Sequence, residues 1–367
     1  MKILWFTTRN LVDLCSTTLT ALGEGLVSLG HQVTIINSDE EGSHSNFSWI
    51  HASLDAQAIR GRKGHVLGKK MGQWLNDLEP HHETVAIVDW RIASSLSPIL
   101  KRKAVPWVLM DRSPPADRGI LAKLQWPVWK KAWSLVKSRQ AHSGCVVSPA
   151  HGQFVHSRVG VSETNMIEIP AGVDVSLFKP GTNKGILSLI YHGRLDRHRG
   201  VLSLPIFHEK LRQKNVQSKL ILIGEGDAFE GLERMAEGRD DIEVLSALPQ
   251  EELAEKLSQS HIGLLPMPET KVWSLASPLK RSEYAASGLL IFGIDHLGHR
   301  LKGKNQPEWI HLVKQEDFHF DGVEWIQSLT QKKINSLSQN SRKYAEDELN
   351  WSGSIEALEQ ACTSCLT

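Results

Sequence analysis

Three short stretches in the second half of this 367-residue chain carry residue types suited to holding a phosphorylated ligand. Gly193-Arg194-Leu195-Asp196-Arg197-His198-Arg199-Gly200 sets arginines between two glycines. Arginine forks match phosphate oxygens in pairs, and glycine permits close backbone approach. Gly224-Glu225-Gly226-Asp227 reads as a tight turn at which the backbone can approach a flat ring. Ser277-Pro278-Leu279-Lys280-Arg281-Ser282-Glu283-Tyr284-Ala285-Ala286-Ser287-Gly288 reads as a short helix, with Ser277 as N-cap, Pro278 as first residue and Gly288 at a left-handed end. The free N–H groups of its first turn, with Lys280 and Arg281 beside them, suit an anion such as a nucleotide diphosphate. Glu283 would then accept hydrogen bonds from ribose hydroxyls. Taken alone, the same stretch equally describes a surface helix with solvated charges.

Such loops need strands ahead of them. Apolar runs at Ile186 to His192, Leu220 to Ile223, Ile242 to Leu245, Ile262 to Leu265 and Leu289 to Phe292 predict five strands with helices between, an open parallel sheet whose carboxyl ends carry the three stretches. The first half predicts a second such sheet. Lys2 to Phe6 is a strand, Ser16-Thr17-Thr18 cap a helix running through Leu29, and Gln32 to Asn37 is the next strand. The loop Thr7 to Ser16 carries no glycine-rich fingerprint. Residues 40 to 65 read as an irregular region with one or two short elements, and Arg60, Arg62, Lys63, Lys69 and Lys70 as a basic, solvated face ahead of a helix from Met71 to Leu78. Thr84 to Asp89 and Pro106 to Met110 are buried strands joined by a helix from Ile92 to Lys101. Asp89 and Asp111-Arg112 follow those strands and would face one crevice.

Pro127 opens a helix with Trp129, Trp133 and Val136 on one face and Lys130, Lys131, Lys137 and Arg139 on the other. That pattern fits packing on the sheet, and it also fits an anionic membrane surface with tryptophans at the headgroups. Cys145 to Ser148 is a strand, Pro149 to Val159 a helix, and Lys179 to Gly185 has linker composition. The chain ends in helices over 323–329, 334–349 and 354–361. The expected domains are 1–177, 178–350 and a closing segment 351–367.

Composition narrows the classes. Lys+Arg 42 against Asp+Glu 41 is near neutral, and the mild basic bias of the first half points to an anionic partner without arguing for nucleic acid. No apolar run is long enough to span a bilayer, so the expected location is the cytoplasm. Four cysteines make no disulfide framework, and Cys362 and Cys365 have metal or redox spacing without a second pair.

The ordered motifs carry a resemblance. Ile169-Pro170-Ala171-Gly172-Val173-Asp174, Gly193-Arg194-Leu195 with Arg199-Gly200, Leu222-Ile223-Gly224-Glu225-Gly226, Leu248-Pro249-Gln250-Glu251-Glu252-Leu253, Ser277-Pro278 with Lys280, Glu283-Tyr284 and Gly288, and Trp351-Ser352 together resemble the signatures of the retaining glycosyltransferases of family four. The similarity is dense after residue 145 and loose before it. It implies the α/β GT-B fold: two Rossmann-like doubly wound domains facing each other across a cleft, with a C-terminal helix crossing back to the first.

The resemblance also implies an activity: transfer of a hexose-type sugar from a nucleotide diphosphate donor, a UDP- or GDP-sugar, to a glycan, polysaccharide or lipid-phosphate acceptor. No cofactor or metal ion is implied. By resemblance Arg194 and Arg199 neutralise the diphosphate and Glu283 binds the ribose. Gly193, Gly224, Glu225, Gly226, Leu248, Ser277, Pro278, Leu279 and Lys280 border the donor, with Ser16 and Thr17 replacing a missing glycine pair. Asp111 is the expected catalytic group of the first domain and Asp89 and Arg112 the acceptor residues; the basic, tryptophan-bearing face of that domain, apart from the resemblance, also suits peripheral contact with the inner membrane face. The chain departs from the pattern at Arg199, where lysine is usual, at Leu275 in place of the first acid of an E-x7-E motif, at Pro278, and at Met110 in place of a histidine. Those departures motivate an alternative, a non-catalytic GT-B protein that binds a nucleotide sugar or a partner enzyme; an epimerase on the same fold fits the motifs less well.

Overall fold

The computed structural model describes residues 1–12, 16–56, 63–115, 120–181, 185–303 and 305–367. Arg60 and Arg62 of the basic cluster therefore lie outside the described residues, as do parts of the expected first loop and linker. The chain divides into two compact units, Met1–Pro170 with Trp351–Thr367, and Ala171–Asn350.

The first unit is built on seven parallel strands: β1 (Lys2–Phe6), β2 (Gln32–Asn37), β3 (Ile50–Ser53), β4 (Thr84–Asp89), β5 (Trp107–Met110), β6 (Gly144–Val146) and β7 (Met166–Glu168), in the spatial order β3-β2-β1-β4-β5-β6-β7. β4 and β5 are buried at every position, as expected for central strands covered by helices on both faces. The helix Pro149–Val159 starts where Ser148 accepts a hydrogen bond from the His151 N–H, and stops at Gly160, which takes φ +73°. The closing helix Ser352–Thr363 belongs to this unit. Its Ile355 packs where Gly25 of helix Ser16–Ser28 has no side chain, and Ser354 Oγ donates to the Pro170 carbonyl at 2.9 Å.

The second unit holds six parallel strands: β8 (Ser188–His192), β9 (Lys219–Ile223), β10 (Ile242–Leu245), β11 (Ile262–Leu265), β12 (Leu290–Ile294) and β13 (Ile310–Val313), ordered β10-β9-β8-β11-β12-β13. Its core gathers Leu189, Leu222, Leu264 and Ile291 from the sheet with Phe207, Tyr284 and Phe318 from the helices. Residues 171–177, assigned from the sequence to the first domain, lie here: the Val173 N–H donates to Leu349 at 2.8 Å, and Val173 and Phe178 join this core.

Several elements differ from expectation. β13 extends the second sheet by one strand. The helix expected to open at Pro127 spans Ile120–Lys137, with the proline inside it. The helix expected over 71–78 begins earlier and spans Lys63–Asp77.

Candidate functional site

In the second unit the loops after β8 and β9 are stitched into one surface by backbone hydrogen bonds. The Gly193 N–H donates to Ile223 at 2.9 Å, Leu195 to Glu225 at 2.8 Å, and Ala228 to Leu195 at 2.8 Å. Gly224 takes φ +143°, and any Cβ there would overlap the Gly193 carbonyl oxygen; one at Gly226 would overlap that of Leu195. Both glycines are therefore required by the close approach of two chains, whatever ligand they also admit. Glu225 is exposed and contributes its carbonyl. Leu248 is half-buried against the core of this unit.

Arg194 and Arg199 meet on one acid. Asp196 accepts from Arg194 Nη2 at 2.9 Å and Nε at 3.2 Å, and from Arg199 Nε at 3.4 Å. Burial would raise the Asp196 carboxyl, but the hydrogen bond and charge of Arg194, with the charge of Arg199 behind them, hold it below the usual carboxylate range. Arg199 also lies over the Trp273 ring, 4.4 Å from its centroid, and His198 stacks on the same ring. The Arg194 side chain remains 41% exposed. Two guanidinium groups are thus fixed in direction before any ligand arrives.

The helix that opens the third stretch spans Leu279–Ala286. Ser277 does not cap it. Pro278 holds the cap position with φ −76° and ψ 124°, while Ser277 Oγ accepts from the Ala171 N–H at 3.1 Å. Gly288 takes φ +67°, the left-handed end expected of it. Lys280 reaches toward the β8 loop: its Nζ lies 5.0 Å from the Tyr191 ring centroid, and a Cβ on Gly193 would stand 3.3 Å from it. Arg281 turns away. Its side chain is buried and donates to the carbonyls of Gly298 and Arg300, with no carboxylate partner among the described residues, and burial lowers its pKa to about 10. Glu283 is buried beside His192, with Oε2 3.1 Å from His192 Nε2. Thus Gly193, Arg194, Arg199, Gly224, Gly226, Lys280 and Glu283 fall on contiguous elements of one unit. The sequence reading overlooked three of their neighbours: Asp196, His192 and Trp273. The spacing of Asp196 between two arginines was a usable signal; the other two had none.

The first unit treats its nominated residues differently. Asp111, expected to be catalytic, is fully buried. Its Oδ2 accepts from the indoles of Trp129 at 2.6 Å and Trp133 at 2.8 Å and lies 3.2 Å from His151 Nε2, while Oδ1 accepts from the Ser113 N–H at 3.1 Å. Burial pushes its pKa up, yet His151 and the indoles bring it below the ordinary value. So enclosed, the carboxylate is turned to the fold and presents no oxygen at the surface, against the catalytic role expected of it.

The same contacts decide how the tryptophan face is used. Trp129, Trp133 and Val136 are inside, so they pack and do not lie at headgroups. Asp89 caps helix Trp90–Arg102 through Arg91 N–H at 3.0 Å and accepts from Thr8 Oγ1 at 2.6 Å. Its carboxylate too is spent on the fold, against the expected acceptor role. Arg112 donates to the Ile169 carbonyl at 2.6 Å. Ser16 and Thr17 open their helix half-buried.

Comparison with solved structures decides the fold. The sucrose-phosphate synthase of Thermosynechococcus elongatus superposes with a TM-score of 0.77 at 16% identity, over 99% of this chain and 98% of that one. A glycosyltransferase from Rickettsia africae gives 0.77 at 12% identity, over 100% and 98%. HepE of Anabaena, in a complex with UDP and glucose, gives 0.73 at 14% identity, over 99% and 100%. The fold is GT-B. Likeness at these identities is likeness of fold alone. No protein-family profile matches the sequence, and no curated protein matches it by sequence. No helix among the described residues is long and apolar enough to cross a membrane.

Proposed function

We propose that this GT-B chain is a retaining glycosyltransferase that moves a hexose from a UDP- or GDP-sugar to a glycan, polysaccharide or lipid-phosphate acceptor, without a metal ion. The observation that carries this reading is the second unit's combination of two pre-aligned arginines, a lysine beside a glycine loop, and a buried carboxylate with an unpartnered oxygen. The nucleotide seen in the HepE complex supports the donor class.

In this reading Arg194, Arg199 and Lys280 face the diphosphate. As the bond from the anomeric carbon to the diphosphate oxygen breaks, negative charge grows on the leaving group, and cations already fixed by Asp196 and Trp273 stabilise it without reorganising. The acceptor oxygen forms the new bond to the anomeric carbon and passes its proton to the diphosphate oxygen that leaves. Glu283 accepts hydrogen bonds from the ribose. Peripheral contact of the first unit with the inner membrane face belongs to this reading. Helix Ile120–Lys137 contains no acidic residue and exposes Leu124 and Val128 alongside Lys130 and Lys131, a basic face with apolar points suited to anionic lipid.

The test is donor hydrolysis and transfer with UDP- and GDP-sugars. Arg194→Ala is expected to lower turnover by roughly a hundredfold or more, the loss of a charge-stabilising contact in the transition state. Glu283→Ala should weaken donor binding. Turnover that persists undiminished in both variants would overturn the assignment.

A further inference from the structure

His192 is the last residue of β8, and its ring edge meets the carboxylate of Glu283 from helix Leu279–Ala286. The two nearest atoms, His192 Nε2 and Glu283 Oε2, are 3.1 Å apart with side chains 10% and 7% exposed. The distance suits a hydrogen bond and the angle does not, so both atoms are buried without a partner. A buried carboxylate oxygen in that state carries its full desolvation penalty. Tyr284 meets His192 twice: the main-chain N–H of His192 donates to Tyr284 Oη at 3.4 Å, and the imidazole stands edge-on to the Tyr284 ring at 5.3 Å and 89°.

Two side chains from separate elements thus meet at one unfinished contact beside the Gly193 loop. A small rotation of the imidazole about its last side-chain bond would aim Nε2–H at Oε2. Hydrogen bonds of this kind in empty sites are often misaligned and tighten when ligand binds.

We propose that His192 is a positioning residue for Glu283: in the Nε2–H tautomer it donates to Oε2, fixes the carboxylate's rotation, and leaves Oε1 facing the ribose 2′-hydroxyl. This rests on the reading of Glu283 as the ribose acceptor. A carboxylate with one oxygen anchored presents the other at a set direction, so the site discriminates a ribose from a 2′-deoxyribose. Without the anchor, the group rotates and the discrimination fades while diphosphate contacts are kept.

The experiment is calorimetry on the full chain with UDP, GDP and their 2′-deoxy analogues. The wild type should favour one ribonucleotide over its deoxy form by about tenfold, the value of one hydrogen bond to a charged group. His192→Met, which keeps length without a donor, should bring that ratio close to one. His192→Gln, of similar length with an amide donor, should restore it. If His192→Met fails to fold, His192→Phe keeps the ring against Tyr284 without Nε2 and reads the same ratio.

A wild-type ratio in the Met or Phe variant overturns the proposal while leaving the role of Glu283 intact, provided Glu283→Gln removes the discrimination. If Glu283→Gln leaves the ratio unchanged, or the wild type binds neither nucleotide, the ribose reading fails first and the proposal falls with it.

Discussion

The two units share one sheet design and use the acids nominated for their sites in opposite ways. In the first unit Asp39, Asp89 and Asp111 all follow strands, as binding carboxylates would. Each is consumed: Asp39 by Asn37, His44 and the Leu11 N–H, Asp89 by its helix cap and Thr8, Asp111 by two indoles and a peptide N–H. In the second unit Glu283 keeps a buried oxygen that, 3.1 Å from His192 Nε2, has no aligned hydrogen-bond donor among the described residues, and Arg194 remains two-fifths exposed on a rigid acid. Buried polar groups are nearly always paired; Ser94, Ser143 and His151 of the first unit also carry unpaired atoms, so the sign of a site is an unpaired oxygen on a carboxylate that stands beside the arginine and glycine loops. An acid after a strand is a candidate; a vacancy on it is evidence.

The most severe way to break this comparison is Asp111→Asn. The substitution removes a charge to which His151, Trp129 and Trp133 are all turned, and the amide must set its NH2 group against either the two indole N–H groups or the Ser113 N–H, all of them donors. A broken buried charged network costs about 3–5 kcal/mol, read as a fall in the denaturation midpoint. If Asp111→Asn unfolds like the wild type, the carboxylate does not hold the fold, and if it also loses transfer activity, Asp111 is a catalytic group after all.

Acid should separate the units next. In the second unit burial lowers the pKa of His208, His296, His299, His311 and His319, to about 4 for His296; in the first, among the described residues, the shift is resolved downward for His51. A histidine kept neutral by the fold takes up a proton on unfolding. Its contribution is therefore whole above pH 6.5 and is lost as pH falls toward the folded-state value. For His296 alone the loss between pH 6.5 and 4 is about 3 kcal/mol. Hydrogen exchange at pH 4.5 against pH 7 should show Ala171–Asn350 losing protection before Met1–Pro170. Equal loss in both would mean that the buried histidines are hydrated in solution.

The sequence made the sheets legible because central parallel strands are short apolar runs and the helices between them have strong stops, as Gly160 and Gly288 show. β13 escaped because Ile310–Val313 is four residues with a histidine in its middle, and it is held mainly by pairing with β12. Pro127 was misread because proline is favoured at the first turn, whereas here it sits within a longer helix. At the site, glycines and arginines could be placed because backbone approach and phosphate geometry demand them. The direction of a side chain could not. Arg281 is one residue from Lys280 and points into the core, and the Trp129–Trp133 stripe announced burial without announcing which acid its N–H groups would reach.

The smallest effect on stability sharpens the contrast from the other side. Glu283→Gln replaces a buried charge that has no hydrogen-bond donor with a neutral amide of the same shape, which can pair with either tautomer of His192. Exchanging a poorly compensated buried charge for a neutral group is often neutral or stabilising, so the variant should unfold within about 1 kcal/mol of the wild type, on the stable side. Its affinity for a nucleoside diphosphate should nevertheless fall, because an amide oxygen accepts from a ribose hydroxyl less strongly than a carboxylate. Stability kept while binding is lost is what a group held for a ligand should show; Asp111→Asn should show the reverse. Were Glu283→Gln to lose several kcal/mol, the carboxylate would be satisfied internally, and the second unit would be using its acid as the first unit does.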